Sequence, residues 1–553
     1  MSPKHKTKWI EDDIQSDRDK LRKSISEFAR DYPSPSSSAS SSSSFGPPRQ
    51  GSPRENKNAT NDFLKQFYSI MTENELELYK QLTATQWKTE APTTSEIDGN
   101  YIEQLTFKIS EIKNSTNDLP RSRMLETLRH QYDSGAGRKA SATSHGGHDG
   151  HDGDDERFIP RVVYKYIREK SEYCIQFKTT IHGRVISLYF ITFPESHISV
   201  CRPGGSIGGG SVSTSSVASA SNYMCSTEIA IYQLYAYKVF LWLSIVTSLS
   251  DKECSGKSLD VYIYMTPFKK LVPAATPSAS GGGDTLSAIH VNTGVTRNCE
   301  TNGEIVIYRA EEWFKVLIHE SMHNFNMDFI DLDLSAANKR LRETFCIPHD
   351  DILLFETYTE TWARIINTMF ETYFDANSRN QTEFIRRVRE NLSLNALFYA
   401  YQAVKVLDVM DLKYAQITIL SPENMEVCRK RYAEETNVYA YYILGGILSV
   451  YALPFISWCR ENNHGGPSTG TSTSTSIPRK LSSVKCIRFS RDGGSSGEDS
   501  NLIRFVDFIR NAARDREFLG MVAFCEKKAH AGASSSSSSS ASSVLQNTLR
   551  MTI

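Results

Sequence analysis

Apolar residues recur at helical spacing in some stretches of this chain and alternate with polar ones in others, and the two periods predict its elements. In residues 62–82, Phe63, Leu64, Phe67, Ile70 and Met71 mark one face of a helix. Residues 158–193 read as strand-rich, with CIQFKTTIHGRVISLYFITF forming a hairpin that turns at His182-Gly183. Residues 229–249 read as an apolar helix interrupted by Lys238, followed by strands at 259–265, 288–296 and 304–308. Residues 311–326 hold no Gly or Pro and open on Glu311 and Glu312, as suits the positive end of a helix. Residues 351–374 predict another helix, with Leu353, Leu354, Tyr358, Trp362, Ile365, Ile366 and Met369 at its apolar positions. Pro348, Asp350 and Asp351 stand at its start. Residues 436–459 carry no charge and are long enough to cross a bilayer. Because Asn437, Gly445, Gly446, Pro454 and four tyrosines interrupt them, they read as a buried helix, with a membrane anchor as the alternative.

Composition divides the chain. Tracts at 33–53, 203–221, 273–283, 465–476 and 531–543 are dominated by Ser, Gly or Pro and are too poor in large apolar residues to fold alone. They read as linkers or loops inserted into one domain. The resulting division is a disordered N-terminal region (1–57), a small helical region (58–135) and a His/Asp/Gly-rich linker (136–157). A catalytic domain (158–464), a linker (465–476), a C-terminal strand and helix region (477–530) and a disordered tail (531–553) follow. Within the first linker, His145, His148 and His151 read as incidental. The net charge of −1 carries no nucleic-acid signal, and Arg479, Lys480, Lys485, Arg488 and Arg491 read as a solvated strand or loop. None of the ten cysteines forms a Cys-x-x-Cys pair, and the charged N-terminus lacks an apolar core like that of a signal peptide. They read as reduced thiols in a cytosol-like compartment.

The candidate chemistry lies in the 311–326 helix, in His319-Glu320-Ser321-Met322-His323. Positions i and i+4 share a helical face, so the two imidazoles can meet one metal ion. Glu320 follows the first of them, where a carboxylate can take a proton from a metal-activated water. A catalytic zinc generally has three protein ligands, and no His or Cys follows closely. In the 351–374 helix, Glu356 and Glu360 lie one turn apart on one face, which they share with Leu353 and Ala363. Either acid can be the third ligand, or both can belong to a solvated face.

The His-Glu-x-x-His helix, with its uncharged variable positions and apolar flanks, resembles that of the zincin metallopeptidases. Asn326 and Phe329 stand where the metzincin subclass has glycine and histidine, which excludes that subclass. The Glu-x-x-x-Glu spacing resembles the second motif of the gluzincins, although no Asn precedes Glu356 as it does in some of them. The resemblance implies an α+β zincin-like domain with one Zn2+ held by His319, His323 and Glu356, and with Glu360 supporting a ligating histidine. It implies peptide or protein substrates, hydrolysed with Glu320 as general base and paired in extended form with an edge strand, 288–296 or 304–308. His349, Tyr441 and Tyr442 are the candidates for stabilising the oxyanion. A catalytically silent zincin-fold scaffold is the alternative of another class. The Ser-rich insertions and the wording of residues 356–363 also resemble uncharacterised metallopeptidases of large DNA viruses, which implies a cytoplasmic or virion location.

Overall fold

Alternating burial along residues 173–191 builds an antiparallel hairpin of β2 (Tyr173–Ile181) and β3 (Arg184–Ile191). Its turn is His182-Gly183, with φ of 48° and 81°, the two positive values that a two-residue hairpin turn requires. The computed structural model describes residues 12–32, 52–84, 103–108, 122–133, 159–194, 226–250, 254, 256–273, 285–346, 351–375, 380–463, 485–489, 500–533 and 545–553. The fold is α+β, and the chain divides into two compact units.

One unit, Thr72–Lys269 with Asn292–Phe325, holds a six-stranded sheet. Its order is β1-β2-β3-β4-β6-β5, with β1 (Glu103–Lys108), β4 (Ser258–Tyr264), β5 (Gly294–Thr296) and β6 (Asn302–Ile307) joining the hairpin. β1, β2 and β3 are antiparallel, β3, β4 and β6 parallel, and β5 returns antiparallel on the edge beside β6. The helix Ser226–Leu249 leads into β4; Val239, Phe240, Leu241, Trp242, Leu243, Ile245 and Val246 are all fully buried. The Lys238 ammonium lies 4.2 Å from the centre of the Phe314 ring, which accommodates a cation in this apolar helix. By length and composition the stretch Glu228–Leu249 could cross a membrane.

The other unit, Met1–Met71 with Lys270–Val291 and Asn326–Ile553, is helical. At its centre runs the helix Leu354–Phe374, of which only Glu356, Glu371 and Phe374 are not buried. Trp362 meets Phe63 and Phe455, and Tyr358 meets Phe329, Phe489 and Phe505. The long helix Gln381–Val409 is capped by the Asn380 side chain, which accepts from the Glu383 N–H at 2.9 Å. The uncharged stretch 436–459 divides into a π-helix (Tyr439–Leu444) and the helices Gly445–Val450 and Ala452–Asn462, which bend by 90° at Tyr451. Tyr439, Tyr442, Leu444, Ile447, Phe455 and Ile456 are buried, but the segment is three elements rather than the one helix expected, and by length and composition the bent pair could also be a broken membrane span.

Several expectations need correction. Residues 161–170 form a helix, not a strand, because Val163, Tyr164 and Ile167 follow helical spacing in spite of their β-forming side chains. Residues 288–296 are a short helix (Ala288–Val291) followed by β5, so β6, paired on both sides, leaves β5 as the edge near this end of the sheet. The stretch 58–135 also supplies strand β1. The N-terminal tract contains the helix Asp12–Arg30, which buries Leu21 and Ile25. Within 477–530 the described residues are helical: a 3-10 turn (Lys485–Ile487), the helix Ser500–Ala513 and most of the helix Arg516–Ala533. In the tail, Leu545, Leu549, Met551 and Ile553 are buried. Lys405 Nζ donates to the Leu545 and Thr548 carbonyls, and the Tyr442 hydroxyl donates to that of Leu549. Cys254 and Cys299 are joined by a disulfide, so the reading of reduced thiols does not hold for this pair; the six other described cysteines are free and buried. Residues 136–157, 203–221 and 465–476, with the histidines of the first linker, lie outside the described residues, as do all but Pro273 of 273–283.

Candidate functional site

The motif helix, Trp313–Asn324, is buried along its whole length and follows β6 after a short link. Glu311 and Glu312 precede it rather than forming its first turn; Glu312 adopts a left-handed φ of 60° and makes no side-chain cap. The helix is fixed by hydrogen bonds on its other polar side chains. Ser321 Oγ accepts from the Trp242 indole N–H at 2.7 Å and donates to the Ile318 carbonyl at 2.9 Å. Asn324 Nδ2 donates to Thr296 Oγ1 at 3.2 Å and to the Arg297 carbonyl at 3.1 Å, tying the helix to the β5 edge.

His319 and His323 are buried on one face of this helix, and their Nε2 atoms lie 3.1 Å apart. Two nitrogens bound at about 2.0–2.1 Å to one tetrahedral zinc would be about 3.3 Å apart, so the pair has the spacing of metal ligands. His323 sits in the last turn, where the negative end of the helix favours a cation.

Glu320, also buried, runs against β5. A Cβ placed on Gly294 would meet Glu320 Oε1 at 2.8 Å and Val316 Cγ1 at 2.7 Å, so only glycine lets the edge strand approach this carboxylate so closely. If the chain is the zinc peptidase that its sequence resembles, Gly294→Ala is expected to displace the Glu320 carboxylate and lower peptide cleavage by about 10²-fold while leaving zinc content at wild-type level. Metal analysis of the variant beside its cleavage rate checks this, and an unchanged rate refutes it.

In the helical unit, Glu356 is half-buried near the start of its helix, and side chains from the opening of the 436–459 segment approach both its oxygens. The Tyr441 hydroxyl donates to Oε2 at 3.2 Å, and Asn437 Nδ2 reaches Oε1 at 3.5 Å. Glu360 is buried, and its Oε1 accepts from Arg364 Nε at 2.8 Å. The solvated-face reading of the two acids therefore does not hold for Glu360. Tyr442 is buried with its hydroxyl on the Leu549 carbonyl at 2.5 Å, which turns it away from an oxyanion role. His349 lies outside the described residues. Glu434 accepts from the Tyr432 hydroxyl and from the Tyr439 N–H, each at 2.7 Å, and so caps the start of the π-helix. Burial pushes its carboxyl up to about 7, against the lowering effect of these hydrogen bonds.

Sequence reasoning missed Gly294, Asn437 and Arg364. Gly294 is an isolated glycine in a short strand, a recognised sign of close backbone approach. Arg364 stands four residues after Glu360, the favourable orientation for a helical ion pair. Asn437 gives no signal in the sequence. Comparison of the chain with protein-family models, with curated proteins and with solved structures finds no match.

Proposed function

We propose that this chain is a zinc-dependent peptidase of gluzincin type, with His319, His323 and Glu356 as metal ligands and Glu320 as general base. The observation that carries the reading is the buried pair of imidazole nitrogens 3.1 Å apart, on a helix that also presents a buried glutamate beside a glycine-bearing edge strand. The donor set, two imidazoles and a carboxylate, suits a hydrolytic zinc. Glu356 is preferred to Glu360 because an oxygen of Glu360 is committed to a buried guanidinium. When bound, zinc would acidify a water molecule and polarise the scissile carbonyl.

The chain's own residues carry the rest. Glu320 takes the proton of the attacking water and passes it to the leaving amine, which a carboxylate can do twice because each transfer restores the other's state. The Tyr441 hydroxyl is the chain's candidate donor to the developing oxyanion. Its single proton is on Glu356 Oε2 at 3.2 Å, so in this role it would turn from that partly exposed carboxylate to the oxyanion, a freedom that the buried Tyr442 hydroxyl lacks. An extended substrate would add to β5, since β6 is already paired on both sides.

The test is metal analysis of the purified chain together with digestion of a mixed peptide library before and after treatment with a zinc chelator. Stoichiometric zinc, cleavage that the chelator abolishes and recovery on adding zinc back are expected. Absence of bound zinc, or cleavage indifferent to the chelator, overturns the proposal.

A further inference from the structure

Arg364 is a buried cation whose every nitrogen is engaged. Its Nε donates to Glu360 Oε1 at 2.8 Å, and its NH1 to the Gly445 carbonyl at 3.1 Å and Ser449 Oγ at 3.0 Å. Its NH2 donates to the Tyr441 carbonyl at 2.9 Å. The flat side of the guanidinium lies 4.7 Å from the centre of the Tyr399 ring. Two turns before it, Thr357 Oγ1 donates to the Ala440 carbonyl at 3.1 Å.

All the backbone acceptors belong to the π-helix or the residue after it. A π-turn widens the helix by one residue and shifts its hydrogen-bond register, so carbonyls at its boundaries need partners from elsewhere. The helix Leu354–Phe374 supplies them from Thr357 and Arg364, and Glu360 balances the charge that this brings into the core. The same π-helix carries Tyr441 to the Glu356 carboxylate. Ligand candidate and π-helix clamp thus project from one helix, two turns apart.

From this we infer that Glu360 and Arg364 form a positioning pair that holds the π-helix in register and thereby sets the Tyr441 hydroxyl against Glu356. The inference rests on the peptidase reading for its catalytic consequence, but not for its structural one. Glu360 then acts on the reaction through Arg364 and the π-helix. A lysine at 364 keeps the charge that Glu360 needs but, as a single ammonium, cannot span the three separate acceptors on Tyr441, Gly445 and Ser449, which run from the π-helix into the helix after it.

The experiment uses the full chain as wild type, Arg364→Lys, Tyr441→Phe and the double variant. On the mixed peptide library, Arg364→Lys is expected to lower kcat by about 10²-fold with KM and zinc content unchanged. In the Tyr441→Phe background the same change is expected to cost less than about twofold, the mark of two residues acting through one contact. Losses that simply multiply overturn the inference.

Hydrogen exchange provides a readout independent of activity. Amides of residues 441–445 in Arg364→Lys are expected to exchange about tenfold faster with global unfolding unchanged, and wild-type exchange there overturns the inference. Should Arg364→Lys not fold, Ser449→Ala removes one arm of the clamp and is expected to accelerate exchange in the same residues. Unaltered exchange in that variant counts against the inference equally. If wild type neither binds zinc nor cleaves, the peptidase reading fails while exchange still decides the clamp.

Discussion

Glu320→Gln is expected to lower peptide cleavage by about 10²–10⁴-fold, the usual contribution of a positioned general base, while the chain stays folded and keeps its zinc. Glutamine preserves the shape of the side chain, so the close approach of Gly294 and Val316 is undisturbed. The helix keeps its anchors at Trp242, Thr296 and Arg297, and the imidazoles of His319 and His323 remain 3.1 Å apart. What is lost is the ability to accept a proton. Metal analysis beside cleavage kinetics separates the outcomes. A variant that cleaves as well as wild type removes Glu320 from the chemistry, and one that loses zinc shows a structural or ligating role instead.

The second large effect separates two acids one turn apart. Glu356→Ala is expected to weaken zinc binding by more than about 10²-fold, beyond what loss of an outer-shell partner usually costs. Its effect on folding should be small, because Glu356 is half-buried and its neighbours Tyr441 and Asn437 remain within reach of water. Glu360→Ala is expected to do the reverse. It leaves the Arg364 guanidinium buried without a counter-charge, and breaking a buried pair in this way costs about 3–5 kcal/mol. Chelator competition measures the first quantity and denaturant unfolding of the metal-free chain the second. Equal zinc affinity in both variants would remove this helix from the metal site, and a stable Glu360→Ala chain would refute the role of the ion pair.

The helix that carries His319-Glu320-Ser321-Met322-His323 and the helix that carries Glu356 and Glu360 were legible because periodicity and the lack of breakers speak clearly over such lengths. His182-Gly183 announced its hairpin because few residues accept two successive positive φ angles. Legibility failed where a run was short or composition drowned out pattern. Residues 288–291 are apolar enough for a strand and too few for a helical period, and they form a helix. Leu545, Leu549, Met551 and Ile553 follow a serine tract whose composition dominated the reading, yet they are buried. In Asp12–Arg30 the buried Leu21 and Ile25, one turn apart among charged residues, are too few to mark a helical period. The Cys254–Cys299 disulfide joins residues 45 apart in sequence, a juxtaposition that no local pattern encodes. The π-helix is set by the side chains packed against it, so its own sequence gives no sign of it.

The near-complete burial of Leu354–Phe374 bears on how this protein can evolve. Most substitutions along that helix would be eliminated as folding defects before any effect on chemistry could be selected. Glu356 stands at one of three positions on it that are not buried, so the proposed ligand is free to be essential without also being a core residue. Drift in substrate preference then has to arise on other elements. Val295, half-buried on β5 between the close-packed Gly294 and the hydrogen-bonded Thr296, and the neighbourhood of Asn437 are the positions open to variation beside candidate site residues. A library built to alter the specificity of the proposed peptidase would randomise those positions and leave the glutamate helix untouched.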